Sequence, residues 1–244
     1  MTDTRDFDIL VFGATGFTGQ LICEYLQHTY GSDAEFKWGM AGRSLSKLEQ
    51  VRNALGVDSS VPLVVADSED KASIDKLAAS TRVLLSAAGP YQQYGSTVVE
   101  SCARLGTDYV DLNGEPLWMK DMIAAHDATA RESGARIVFS CGFDSLPSDL
   151  GVHLLEQVAS AKFGAPLPRV KCRVKAMRGT ASGGTVASFT ATMASVKANP
   201  ALFADLANPF VLTEGFSGPE QPGGNEMLFE DDLNSWSGPF IMAT

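Results

Sequence analysis

Asp8-Ile-Leu-Val-Phe-Gly-Ala-Thr-Gly-Phe-Thr-Gly19 decides the fold. Its opening, Asp8-Ile-Leu-Val-Phe12, is a short apolar run ending at glycine, the pattern of a strand buried on both faces of a parallel sheet. Gly13-Ala-Thr-Gly-Phe-Thr-Gly19 then turns the chain into a helix whose inward side is expected to carry Phe17, Leu21, Ile22, Tyr25 and Leu26. A helix N-terminus offers unpaired N–H groups and about half a positive charge, and glycines remove the Cβ that would keep a phosphate away. Gly13, Thr15, Gly16, Phe17, Thr18 and Gly19 are therefore the expected pyrophosphate contacts, with Gly19 letting the helix pack closely on the sheet. The GxxGxxG spacing differs from the commoner GxGxxG, so its place after the first strand carries much of the argument.

Outward from this turn, strand and helix signals alternate. Strands are expected at 36–41, 63–66, 82–88, 109–112 and 136–140. Between them, Ser46-Lys-Leu-Glu49 reads as a capping box and Asp70 as a helix N-cap. A helix through Val98, Val99, Cys102 and Leu105 should stop at Gly106, and one over about 118–132 at Gly134. Six strands alternating with helices predict an α/β, Rossmann-type doubly wound parallel sheet, with ligands beyond the carboxyl ends of its strands.

After residue 150 the style changes. A helix over 149–161 is followed by Val170, Cys172, Val174 and Ala176 alternating with Lys171, Arg173 and Lys175, a strand with one wet face. Gly179-Thr-Ala-Ser-Gly-Gly-Thr185 comes next, then a further helix is expected to Ala198, and Pro/Gly-rich loops follow, Gly218-Pro-Glu-Gln-Pro-Gly-Gly224 most clearly. The expected organisation is a dinucleotide-binding Rossmann domain over 1–150 and a second, incomplete mixed α/β domain over 151–244 for substrate and dimerisation. The uncapped apolar end, Ser237-Gly-Pro-Phe-Ile-Met-Ala-Thr244, reads as a C-terminal truncation.

Composition narrows the function. Nineteen basic against 29 acidic residues give a net charge of −10, with no basic stripe, which excludes nucleic acid as an expected partner. Four dispersed cysteines and three histidines show no zinc-ligand spacing, so no metal is expected. The polar start carries no secretory signal, and no apolar run approaches the roughly 18 residues of a membrane span. A cytoplasmic protein without an integral membrane segment follows as the expectation.

Cofactor type is read at the end of the second strand. An NAD-preferring site usually has a carboxylate there for the ribose 2′-hydroxyl, whereas this chain has Ala41-Gly-Arg-Ser44. A guanidinium beside a hydroxyl suits a 2′-phosphate by charge and by forked geometry, so Arg43 and Ser44 point to NADP. Asp67 at the third strand end either meets the adenine edge or caps the following loop. Ala88, Gly89 and Pro90 are small enough to pass beside the cofactor's ribose and nicotinamide.

Three successive strand ends carry polar groups towards one crevice. Tyr91, Asp111, Asn113, Glu115, Asp144 and Ser145 are the positional candidates for catalysis, with Tyr91 and Asp144 chosen as proton donor or orienting group. Ser148 and Asp149 also suit a helix start. No tyrosine is followed four residues later by lysine, which removes short-chain dehydrogenase chemistry. Cys141 at a strand end leaves a cysteine-nucleophile reductase as a rival, although a small buried hydrophobe is the simpler reading.

Taken together, Gly13–Gly19, Ala41–Ser44, Gly89-Pro-Tyr91 with Tyr94-Gly95, Asp111 with Gly114-Glu115, and Gly142-Phe-Asp-Ser145 with Pro147-Ser-Asp-Leu-Gly151 resemble the saccharopine dehydrogenase-like oxidoreductases. Ser182-Gly-Gly-Thr185 extends the resemblance, whose nearest branch is that of the trans-acting enoyl reductases of lipid biosynthesis. The resemblance implies an NADP-dependent oxidoreductase, a reductase of enoyl C=C bonds on a small, lipid-like substrate, acting as a homodimer. Saccharopine reductase-like C=N reduction in amino-acid metabolism and a non-catalytic NADP-binding sensor stand as alternatives. It also implies a chain of roughly 400 residues, of which a cofactor half and part of a substrate half are present.

Overall fold

A computed structural model describes residues 5–31, 35–179, 182–219 and 226–238. Residues 220–224 of the Gly/Pro loop and 239–244 of the chain end lie outside the described residues.

Six strands form one parallel sheet: β1 (Phe7–Phe12), β2 (Trp38–Gly42), β3 (Leu63–Val65), β4 (Thr81–Ser86), β5 (Asp108–Asp111) and β6 (Ile137–Val138). Their order, β3-β2-β1-β4-β5-β6, reverses direction at β1, so the switch point lies between β1 and β4. There Phe12 is in register with Ser86, and Ser86 with Asp111. The predicted α/β Rossmann-type sheet is the fold observed.

The helices α1 (Phe17–Tyr30), α2 (Leu45–Ala54), α3 (Lys71–Ser80), α4 (Tyr91–Tyr94), α5 (Ser96–Leu105) and α6 (Pro116–Ser133) connect the strands. Side-chain alternation along β1 divides the core into two layers. Leu10 and Phe12 pack with Leu84, with Ile74 and Leu77 of α3 and with Val98, Val99 and Cys102 of α5. Val11 packs on the other face with Met40, with Cys23 and Leu26 of α1 and with Leu48 of α2. Such burial contributes about 1.5–3 kcal/mol for each large apolar side chain.

Two local readings are corrected. Leu26 is buried and Ile22 packs against the core as expected, but the rest of the buried side of α1 is Gly19 and Cys23, while Phe17, Leu21 and Tyr25 are exposed. Gly19 lies so close to the β1 turn that the helix must present its bare backbone there, and residues on the neighbouring arc turn outward. The cap of α2 is Ser44, whose extended backbone leads the helix and whose Oγ accepts the Lys47 N–H, rather than Ser46 two residues later. Asp70, Gly106 and Gly134 cap or stop their helices as expected.

The second half contains α7 (Leu146–Phe163), α8 (Gly183–Ala198), α9 (Leu202–Leu206) and a hairpin of β7 (Leu228–Glu230) and β8 (Ser235–Ser237). Helix α7 runs through the expected domain boundary at 150 without a break. The strand expected over 170–176 is not formed: that segment pairs with no strand among the described residues. Lys171 and Arg173 reach Glu230 of β7 through side chains instead. Among the described residues, no helix is long and apolar enough to cross a membrane.

Candidate functional site

The glycine turn lies at the switch point. Gly13 has φ +84°, and a Cβ there would come within 2.9 Å of the Ala87 carbonyl carbon and the Ala88 nitrogen. The turn therefore touches the end of β4 backbone to backbone. Gly13 and Ala14 N–H groups both donate to the Ala41 carbonyl, and the Ala87 N–H to that of Phe12, which fixes the turn to both neighbouring strands. Gly16 is the N-cap of α1, with no side chain capping the helix.

A Cβ on Gly16 would find only the Gly13 carbonyl within 4 Å, at 3.3 Å. The remaining space faces away from the protein at the positive end of a 14-residue helix. That is a cradle which a side chain would fill, and the residues present fit a dinucleotide pyrophosphate.

At the end of β2, Arg43 is exposed, with its guanidinium 5.8 Å from the centre of the Tyr94 ring. The cation thus spans from one side of the switch point towards α4. Ser44 Oγ is already engaged by the Lys47 N–H and the Ser46 hydroxyl, so this residue holds the start of α2. Asp67 Oδ1 accepts the Glu69 N–H at 3.1 Å, which makes it a cap of its own loop. Ala88, Gly89 and Pro90 lead directly into α4, with Pro90 as its N-cap.

Beyond β5, Asp111, Asn113 and Glu115 point inward at alternate positions, each no more than 3% exposed. Asp111 accepts from the Tyr109 hydroxyl at 2.8 Å, from Asn113 Nδ2 at 2.7 Å and from the Ser140 N–H at 2.8 Å. Burial pushes its carboxyl above the usual aspartate range, with these donors pulling the other way. Asn113 Oδ1 accepts the Glu115 N–H, and Glu115 accepts the N–H groups of Tyr91 and Gln92 at 2.8 and 2.9 Å. One hydrogen-bonded chain thereby connects the loops after β4, β5 and β6.

Tyr91, expected as proton donor or orienting group, faces the core. It is 4% exposed, and its hydroxyl donates inward to the Ser86 carbonyl at 3.0 Å. The ring is thus turned into the core rather than towards the crevice, and burial and the nearby Asp111 carboxylate push its phenol well above its usual range. Asp144, in the loop before α7, has an enclosed Oδ1 with no hydrogen-bond partner among the described residues. Ser145, rather than the expected Ser148, is the N-cap residue of α7, and Pro147 and Asp149 lie in the first turn. Burial pushes the Cys141 thiol up, away from the thiolate that a nucleophile requires. All four cysteines are free, and among the described residues no cluster suits a metal ion.

The sequence reading did not include Ser140, Gln92 or the residues of α8 that meet this cluster. Ser188 donates to Glu115 Oε1 at 2.7 Å, and Ser195 donates to Gln92 Oε1 at 3.1 Å. Ser188, Thr192 and Ser195 form one stripe at helical spacing along α8, a signal that could have singled them out.

A trans-acting enoyl reductase of Mycobacterium ulcerans is 38% identical over 211 residues, covering 86% of this chain and 50% of the relative. One of Mycobacterium leprae is 35% identical over 252 residues, covering 99% of this chain and 59% of the relative. This chain thus spans little more than half the length of these relatives. An apo saccharopine dehydrogenase (L-Glu forming) from Saccharomyces cerevisiae superposes with a TM-score of 0.45 at 20% identity, over 64% of this chain and 32% of that one. Residues 9–138, from β1 to the end of β6, match the family model of the saccharopine dehydrogenase NADP binding domain. With the glycine cradle at the switch point and Arg43 at the end of β2, the chain belongs to that NADP-binding family.

Proposed function

We propose that this chain is the nucleotide-binding part of an NADPH-dependent reductase acting on the C=C bond of a lipid-like enoyl substrate. The observation that carries the reading is the open cradle at Gly16, together with an arginine at the end of β2, where an NAD site places a carboxylate. The relatives, named trans-acting enoyl reductases, support the substrate class. When bound, NADPH supplies a hydride.

The chain's own residues bind and orient. Gly13, Gly16 and Gly19 with the first turn of α1 would hold the pyrophosphate, and Thr15, Phe17 and Thr18 flank it. Arg43 would hold the 2′-phosphate beside Ser44, and Ala88, Gly89 and Pro90 border the nicotinamide ribose. Asp144 is the proposed proton donor or orienting group, because its enclosed Oδ1 lacks a hydrogen-bond partner among the described residues. The reading extends to a cytoplasmic homodimer, which light scattering and cell fractionation test directly.

The decisive experiment is NADPH and NADH titration of the full-length protein by fluorescence, followed by loss of NADPH absorbance with a panel of enoyl thioesters. Arg43→Ala should weaken NADPH about tenfold to a hundredfold, the scale of a lost charge-assisted bond, and leave NADH unchanged. Asp144→Asn should lower kcat while NADPH affinity is retained. Equal affinity for the two nucleotides, or NADPH binding without consumption across the panel, would sink this proposal.

A further inference from the structure

The residue least explained by nucleotide contact alone is Glu115. Its carboxylate is 2% exposed, and its partners are N–H and O–H groups rather than a cation among the described residues. Oε1 takes the Tyr91 N–H and the Ser188 hydroxyl, and Oε2 takes the Gln92 N–H. Three donors from two separate segments converge on one acceptor-only group. A glutamine would present one oxygen and would turn its own N–H₂ against a donor, so the convergence needs a carboxylate.

The two segments matter for the crevice. Tyr91 and Gln92 open α4 directly after the Gly89–Pro90 turn, which itself follows Ala88. A Cβ on Gly13 would come within 2.9 Å of the Ala88 nitrogen, so this turn abuts the phosphate-binding loop with no side chain between. From the other side, Ser188 Oγ is only 3.8 Å from where a Cβ on Gly89 would stand. Ser195 adds a second bond from α8 to Gln92.

We propose that Glu115 is a positioning residue whose buried carboxylate fixes the Gly89–Pro90 turn against the phosphate loop and ties that turn to α8. Docking of α8 and binding of the nucleotide then strengthen each other, because both stabilise the same arrangement of the turn, and such coupling is reciprocal. This inference rests on the reading of the site as an NADPH site.

The test combines NADPH titration with amide hydrogen exchange on the full-length protein, bare and with NADPH. In the wild type, NADPH should slow exchange in residues 89–94 and in α8, about 100 residues further along the chain. Ser188→Ala should weaken the slowing in α8, where the Ser195 bond to Gln92 remains, and retain it in 89–94, and Ser188→Thr, which restores the hydroxyl, should recover it. Glu115→Gln should abolish both and weaken NADPH about tenfold.

Circular dichroism controls for folding. If Glu115→Gln does not fold, the alanine and threonine variants at Ser188 decide, since Ser188 is only half-buried. A wild type that binds NADPH without slowing α8, or variants that behave as wild type, would overturn the coupling and leave the nucleotide reading standing. A wild type that does not bind NADPH would overturn both.

Discussion

Replacing Gly19 by alanine tests whether close helix-to-sheet packing, or nucleotide contact, requires the last glycine of the turn. A Cβ at position 19 would lie 2.2 Å from the Gly13 carbonyl oxygen and 2.9 Å from the Ala14 Cα. Both are backbone atoms of a turn held by the paired N–H groups of Gly13 and Ala14 on Ala41, so neither moves without loosening those bonds. Relief needs a shift of about 0.8 Å, and overpacking of that kind costs about 3 kcal/mol. Alanine's better helix propensity offsets only about 1 kcal/mol, leaving a net loss of about 2 kcal/mol. Gly16→Ala provides the contrast, because its Cβ meets one oxygen at 3.3 Å and its φ of −76° suits any residue. It should change stability by less than about 1 kcal/mol and weaken NADPH at least about tenfold by filling the cradle. Urea denaturation followed by the fluorescence of buried Trp38 and Trp118 measures the first quantity, and nucleotide titration the second. Equal stability of Gly19→Ala and wild type, or a larger loss for Gly16→Ala than for Gly19→Ala, would refute the packing argument.

Three further outcomes are expected. Arg5→Ala should destabilise by about 2–4 kcal/mol in urea, since its guanidinium donates to the carbonyls of Thr81, Leu105 and Gly106 and to Thr107 Oγ1; a loss under about 0.5 kcal/mol would contradict this. Ser44→Ala should cost about 1 kcal/mol by uncapping α2, and Ser46→Ala much less, which denaturation of both variants checks. Asp111 should make the wild type lose stability relative to Asp111→Asn as pH rises from about 4 towards 7. Its folded carboxyl titrates above the unfolded value of 3.8, so the native state holds the proton more tightly, and that contribution is complete below the unfolded value and lost through the folded one. Denaturation of both proteins across this range reads the slope, from which a constant cost of the substitution cancels; a flat or opposite slope would show that Asp111 is not desolvated.

What could be read from the residues was local and periodic. The run Asp8–Phe12, the glycine turn and the helix stops at Gly106 and Gly134 declare themselves because each depends on neighbours within a few residues. The orientation of α1 was misread because Phe17, Leu21 and Tyr25 satisfy helical spacing as well as Gly19, Cys23 and Leu26 do, and hydropathy favours the larger side chains. Only the approach of Gly19 to Gly13 selects between the two arcs. The alternation over 170–176 describes a chain that would suit a sheet edge, but pairing needs a neighbour, and its lysine and arginine found Glu230 instead. Tyr91 stands after β4, as its place in the chain predicts, while the direction of its hydroxyl depends on the Ser86 carbonyl, a tertiary fact. The contact of Ser188 with Glu115 joins residues 73 apart, beyond any window of periodicity.

The alternate inward residues of Asp111-Leu-Asn-Gly-Glu115 have a mechanical consequence. Each fastens a different rim of the crevice, Asp111 the loop after β6, Asn113 its own loop and Glu115 the turn after β4. Five residues thus act as a hub with three spokes, and no rim can be displaced without breaking bonds at the shared axle. An enzyme built this way would retune its specificity through the outer residues of each loop, while the hub keeps all three rims moving as one body.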